Sequence, residues 1–542
     1  MRKKAIAAGL CLLSLALIVV AGCGSKQEKS GAEKPTPANG GKINIGSAVE
    51  PDTWNPVLSE LIASQEVGRL IFSGLLLQND KGEWIPDLAV AVPTVANGGI
   101  SADGMTVTYH LNPNAKWQDG ERVTAGDVRF TYDYIMKMRS KIPWREGYEK
   151  IQSVGTPDEA TVVVRFMEPY GLYLHLFPFI LPKHKAAELA DTGMLNYNRL
   201  PTGSGPFILR EWRRGDALVF EANPGYYRGR PLVDSIIYKI VTDRQIVLSQ
   251  LKIGEVDIVN NIGFDQLDQV RAMTGVNTYV IRSSVLEHLD FNLDNPLFAD
   301  VRVRQAIASA IDKTSIIEKV LKNAGFPAVT DINPSSWAYA QNVKPVANNT
   351  AQIKDLLTAA GWQPGPDGVW MRQGKRLSFI MLTPLGDKPR EAVAGVLATQ
   401  LREAGIELRV QMVERKMFFE DVLPNRRFEA ALFAWINSTE PDNYELWHSR
   451  RIPTPENRRT GRNYGGWRLQ EVDSLLESTK NIGATENRRS AFNRLQEIVA
   501  LEVPFVPLYY RADVSAAKRN VVNFKPNVFG GNFWNTWEWS IR

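Results

Sequence analysis

The chain has 542 residues, 44% of them hydrophobic and 23% charged, with two cysteines and a formal net charge of +5. That is enough apolar material for two or three packed domains. Arg2, Lys3 and Lys4 supply three of the five charges, so the rest of the chain carries +2. This balance, with no basic run interleaved with aromatics, excludes a nucleic-acid binder.

The first element is a basic start followed by the uncharged run 5–21. It reads as the n- and h-regions of a secretory signal and falls short of the about 20 apolar residues of a spanning helix. It closes in "LIVVAGCGSK", where "VAGC" resembles the lipobox of bacterial lipoproteins. That resemblance makes 1–22 a cleaved signal and Cys23 the acylated N-terminus of the mature chain. The alternative is an uncleaved anchor helix with Cys23 incidental. Cys11 would leave with the signal, so the exported body has no free thiol and no disulfide and relies on its packed core. Residues 23–41, mostly "GSKQEKSGAEKPTPANGG", have almost nothing to bury and read as a flexible tether with a reach of roughly 25 Å.

The body opens on a strand in "GKINIGSAVEPDTWNP", where Ile43 and Ile45 alternate with polar neighbours. "GMTVTYHLNP" and "TVVVRFM" are further strands, with a helix between them capped by Thr124. "GSGPFILREWRRGDALVFEANPGYY" reads as a tight turn and a two-stranded hairpin. From Asp300, a fair N-cap, apolar residues at 303, 307, 311, 317 and 321 fall near helical spacing. Arg302 and Arg304 stand where the helix dipole disfavours cations, which predicts a carboxylate partner for at least one. Residues 377–413 form the clearest unit. The strand "LSFIMLTP" leads into a helix with Val393, Val396, Leu397 and Leu401 inward and Gly405 as its stop. The strand "IELRVQMV" follows, with Ile406, Leu408, Val410 and Met412 on one face. This is a right-handed parallel crossover. Another strand follows at 429–436. Ligands in such sheets sit beyond the carboxyl ends of the strands, here the loops 383–390 and 437–444. The last stretch, "GNFWNTWEWSIR", alternates as a strand with Phe533, Trp537, Trp539 and Ile541 on one face.

Signals of catalysis are thin. No GxxxxGK[ST], GxSxG or HExxH occurs, and the five histidines (110, 175, 184, 288 and 448) lack metal-ligand spacing and read as packing or surface residues. Of the fourteen tryptophans, most belong to the core and some to a cleft.

Several ordered segments resemble the family 5 extracellular solute-binding proteins of ABC importers, which include oligopeptide- and dipeptide-binding proteins. They are "IFSGLL", "WIPDLAVAV", "NAKWQDGERVTAGDVRFTYDYI", "ANPGYYRGRPLVDSI", "LKIGEVDI", "LDFNLDNPLFADVRVRQAIASAIDK", "TGRNYGGWRLQEVDSLLEST" and "VPFVPLYY". The resemblance runs from about 42 to 540. It implies an α/β, two-lobed periplasmic-binding-protein-like fold (type II, cluster C) with a hinge. Lobe I would take 42–70, 200–285 and 505–542, with an inserted subdomain at 71–199, and lobe II would take 286–504. It further implies a receptor that captures peptides outside the cytoplasmic membrane and delivers them to a permease and its ATPase subunits. No cofactor or metal is implied, the chain is expected to be a monomer, and no bond is made or broken. An oligosaccharide receptor of the same family is the alternative, and a secreted hydrolase a more distant one.

Relatives carry an amine-binding aspartate three residues after a tryptophan. Here Trp435 matches but Ser438 stands in that place, and the loop is one residue shorter. The nearest acids, Glu440 and Asp442, serve either the ligand or a structural turn. Glu60 aligns with a ligand-contacting acid of the first lobe. Arg390 stands near the family's cation for a peptide carboxylate, or else is a solvated first-turn arginine. The expected ligand set is therefore Glu60, Arg390, Trp435, Asn437, Ser438, Thr439 and Glu440, with the ligand's carboxylate or backbone mattering more than its amine.

Overall fold

A computed structural model describes residues 40–542, apart from 60, 139–141, 143–144, 146, 186–200, 438–439, 481 and 483–484. The expectations for the signal, the tether up to residue 39, Cys23, Glu60, Ser438 and Thr439 lie outside the described residues.

One mixed sheet runs through the body. Ten of its strands are β1 (Lys42–Ser47), β2 (Phe207–Arg213), β3 (Ala217–Ala222), β4 (Ser235–Ile240), β5 (Ile258–Val259), β6 (Val276–Phe291), β7 (Ser378–Pro384), β8 (Glu407–Val413), β9 (Ala430–Ile436) and β10 (Phe505–Lys518). Their order is β8-β7-β9-β6-β10-β5-β1-β4-β3-β2, and the short strand Gly325–Pro327 also pairs with β10. β6 and β10 lie antiparallel, from Asp290 opposite Phe505 to Val276 opposite Lys518, with a break in register between Arg282 and Leu286. Among the described residues these two strands carry the sheet from one half to the other. β6 pairs with β9 at one end, and β10 pairs with β5 at the other.

Each half has its own core. Ile43, Phe220 and Ile236 pack in one cluster with Val107, Ile135 and Val162 of the segment between β1 and β2. That segment adds a three-stranded sheet and the helix Ala125–Lys137, which the Thr124–Asp127 capping box starts. In the second half Leu289, Val303, Phe379, Leu397 and Leu432 form one cluster, and Phe433, Trp435, Trp447 and Phe505 belong to another.

The parallel crossover forms as its periodicity predicts: β7 and β8 pair in parallel, joined by the helix Lys388–Glu403. Val393, Leu397 and Leu401 are fully buried, each contributing about 1.5–3 kcal/mol of apolar transfer. Gly405 ends the helix at φ +76°, and a Cβ there would stand 2.5 Å from the Gly368 carbonyl oxygen. β8 is an edge strand, so its alternation is only half used: Ile406 and Leu408 are buried, but Met412 is 44% exposed. Asp300 caps its helix through the Arg302 N–H at 3.0 Å, and its carboxylate also pairs with the Arg302 guanidinium at 2.7 Å. Arg304 instead donates chiefly to carbonyls, of Phe298 at 2.7 Å and Val503 at 3.0 Å. The "GSGPF" turn brings Gly203 so close to Ile71 that a Cβ would collide with the Ile71 carbonyl.

The C-terminal stretch departs from the alternating strand. It forms a 3-10 turn, Thr536–Glu538, then a two-residue strand, Ser540–Ile541. Asn535 holds the turn. Its Oδ1 accepts from Trp539 Nε1 at 3.0 Å, and its Nδ2 donates to the Asn523 carbonyl at 2.9 Å. Phe533 and Trp539 are buried, while Trp537 is half-buried. Among the described residues, no helix is long and apolar enough to cross a membrane.

Candidate binding site

The carboxyl end of β9 opens on a cavity of about 400 Å³. Phe433, Trp435 and Asn437 form one wall, residues 440–443 with 445 and 446 a second, Phe419 and Leu423 a third, and Leu172 reaches in from the segment between β1 and β2. Trp435 is clamped by rings. It stacks on His288 at 3.6 Å and meets Trp447 edge-on at 5.2 Å. Burial pushes the His288 imidazole down to about 3, so this ring is neutral and serves packing. Trp435 Nε1 is buried with no acceptor among the described residues. Asn437 continues past the strand end. Its N–H donates to the Ser284 carbonyl at 2.8 Å, and its side-chain amide donates to the Asp331 carbonyl.

Asp331 is the residue that sequence reasoning missed. It follows the short strand Gly325–Pro327, lines the cavity and is 2% exposed. Its Oδ2 accepts from Trp447 Nε1 at 2.6 Å and from the Asn443 amide. Burial raises its carboxyl to about 6, against the Trp447 hydrogen bond. Its one local signal was an acid in "TDINP", which reads equally well as a turn residue.

Two expected ligand groups are committed elsewhere. Glu440 reaches the cavity wall, but its carboxylate pairs with Arg488 and accepts from Trp337 Nε1 at 2.6 Å. The Arg488 guanidinium in turn lies over the Trp337 ring at 5.0 Å. Burial raises the Glu440 carboxyl in spite of that pair. Arg390 is 5% exposed, so the solvated reading does not hold. Its Nε and Nη2 each donate to Glu287 at 2.9 Å, a two-pronged pair that a ligand carboxylate would have to break. Arg511 also binds Glu287, through Nε at 2.7 Å, and it reaches Asp387 at 2.5 Å. The loop 383–390 is thus tied into an ion network, and it is the loop after β9 that lines the cavity. His288 and His448 are buried and His175 is half-buried. No group of three or more His, Cys, Asp or Glu able to hold a metal occurs among the described residues.

A sheet split into two halves by a pair of shared strands, with a cavity at the carboxyl end of its second-half strands, is the architecture of two-lobed α/β periplasmic binding proteins. Residues 83–451 match the middle region of the bacterial extracellular solute-binding proteins, family 5. The chain belongs to this family of solute-binding receptors. It is 31% identical over 538 residues to the oligopeptide-binding protein AppA of Bacillus subtilis, covering 97% of this chain and 96% of that one. The structure of that species' AppA in complex with a nonapeptide superposes with a TM-score of 0.66 at 29% identity, covering 94% of this chain and all of that one. NikZ of Campylobacter jejuni, in complex with Ni(L-His), gives 0.67 at 26% identity, covering 92% and 99%.

Proposed function

We propose that this protein is the membrane-tethered substrate-binding component of an ABC importer, and that it captures peptides and hands them to the permease by hinge closure without catalysis. The end-to-end similarity to an oligopeptide-binding protein carries this reading. Lobe I (42–70, 200–285, 505–542) and lobe II (286–504) would move about β6 and β10, where the register break at 282–286 gives the backbone room to bend. The inserted subdomain (71–199) would move with lobe I, whose core it shares. Trp435 packs on the ligand, Asn437, Ser438 and Thr439 supply hydrogen bonds, and Glu60 is a further ligand contact contributed by the first lobe. Main-chain pairing holds the peptide backbone. Glu440 acts indirectly, by fixing the wall, and Arg390 holds the ion network with Glu287. The oligosaccharide alternative rests on Trp435, the tryptophan among the described residues that lines this cavity.

Native mass spectrometry of the purified body should show co-purified peptides, and adding a bound peptide should reduce the radius of gyration in small-angle scattering. A profile unchanged at saturation would sink the closure. Saturation by a nickel–histidine chelate with no peptide bound would replace the ligand class. For the tether, Cys23→Ser should abolish labelling by palmitate and leave an unprocessed precursor. A variant that is still labelled would show that Cys23 is not the lipidated residue.

A further inference from the structure

We propose that Asp331 receives an ammonium group of the bound ligand, the role for which no aspartate stands three residues after Trp435. This assignment rests on the peptide reading. Asp331 is a carboxylate on the cavity wall without a cationic partner among the described residues. The two side-chain donors that reach its carboxylate, Trp447 and Asn443, both fall on Oδ2. The other acids of the wall differ. Glu440 is held by Arg488 and Trp337, Glu445 pairs with Arg451 at 3.0 Å, and Asp442 is exposed.

Asp331 is also held in place before any ligand arrives. Its carbonyl accepts from the Asn437 amide and from Tyr510 Oη at 3.4 Å, and Oδ2 is pinned by two donors from the segment 443–447. Asn437 and Tyr510 therefore fix the backbone of Asp331, and the segment 443–447 fixes its carboxylate at the cavity. Burying an acid there without a cation carries a desolvation cost that an incoming ammonium offsets. Trp435, Phe433 and Tyr464 line the same cavity. The ammonium could be the peptide's N-terminus or a lysine side chain; the chemistry is shared, and the test separates the sources.

The probe is a mixed-sequence pool of nonapeptides without lysine or arginine, offered with free or acetylated N-termini. A third pool is acetylated but contains one lysine. Competition binding is read at pH 7.5 for the wild type and for Asp331→Asn. For an N-terminal ammonium, acetylation should weaken wild-type binding about thirtyfold or more, as expected for a desolvated charge pair that loses one partner. D331N should bind the free-amine pool about as weakly and become indifferent to acetylation. For a lysine ammonium, the third pool alone binds tightly, and D331N loses that preference. Wild-type protein that binds all three pools alike overturns the role of Asp331 while leaving the peptide reading standing. That arm does not depend on whether D331N folds. Wild-type protein that binds none of the pools overturns both.

Discussion

Arg390→Ala should cost about 3 kcal/mol of stability or more, and it should weaken free-acid and amidated forms of a bound peptide to the same degree. The guanidinium and the Glu287 carboxylate are both buried, with side-chain exposures of 6% and 0%. Removing one member of such a pair leaves a charge in a poor solvent, typically at a cost of about 3–5 kcal/mol. Arg511 still reaches Glu287, which puts the expectation at the lower end. Glu287→Gln should cost a similar amount. The double variant should lose less than the sum, with a coupling of about 1 kcal/mol or more. Urea titration of the four proteins measures the cycle. An Arg390→Ala protein of unchanged stability that loses only free-acid peptides would place this arginine on the ligand instead.

Between pH 6.5 and 8 the protein should lose roughly 1–2 kcal/mol of stability, at up to about 1.4 kcal/mol per unit for each responsible group. Burial raises Glu66 to about 7, against a hydrogen bond from Asn532, and raises Asp290 to about 8, against the charge of Arg426. In the unfolded chain both ionise near pH 4. Between those values the native state holds protons that the unfolded chain has released. The stabilisation is therefore full at low pH and is lost as pH rises through the folded values. Asp331, at about 6, completes its loss earlier. His175 and His288 oppose this at the acid end. Burial lowers them to about 4 and about 3, so they favour the native state above the unfolded value near 6.5 and withdraw that support as pH falls below it. At pH 6.5 the unfolded histidines are still about half protonated, so up to pH 8 they return about 0.4 kcal/mol each and offset part of the slope set by the two acids. Lys313, lowered to about 8 by burial, acts with the opposite sign as pH approaches and passes that value. Denaturant titrations at pH 6.5, 7.2 and 8 test the slope, and Asp290→Asn should remove most of it. A flat wild-type profile would mean that these acids ionise normally in the folded protein.

What the sequence by itself determined is what short-range periodicity and capping can encode. The crossover 378–413 formed because its helix repeats apolar residues on one face and stops at a glycine that has no room for a Cβ. The start of the helix at Val301 was visible in Asp300, and the site wall at Trp435 and Asn437 was visible as the end of an apolar strand. Periodicity failed where local hydrogen bonds outcompeted it, as at Asn535, and where a strand lies at the sheet's edge, as at Met412. The fate of each charge was decided only in three dimensions. Arg390 meets Glu287 across 103 positions, and Asp331 meets Asn443 and Trp447 across 112 and 116. A charged residue looks the same in a sequence whether it faces water, a partner or an empty cavity. Its energy depends on the dielectric and the counter-charge around it, and in this protein the packing of distant segments around β6, β9 and β10 supplies both.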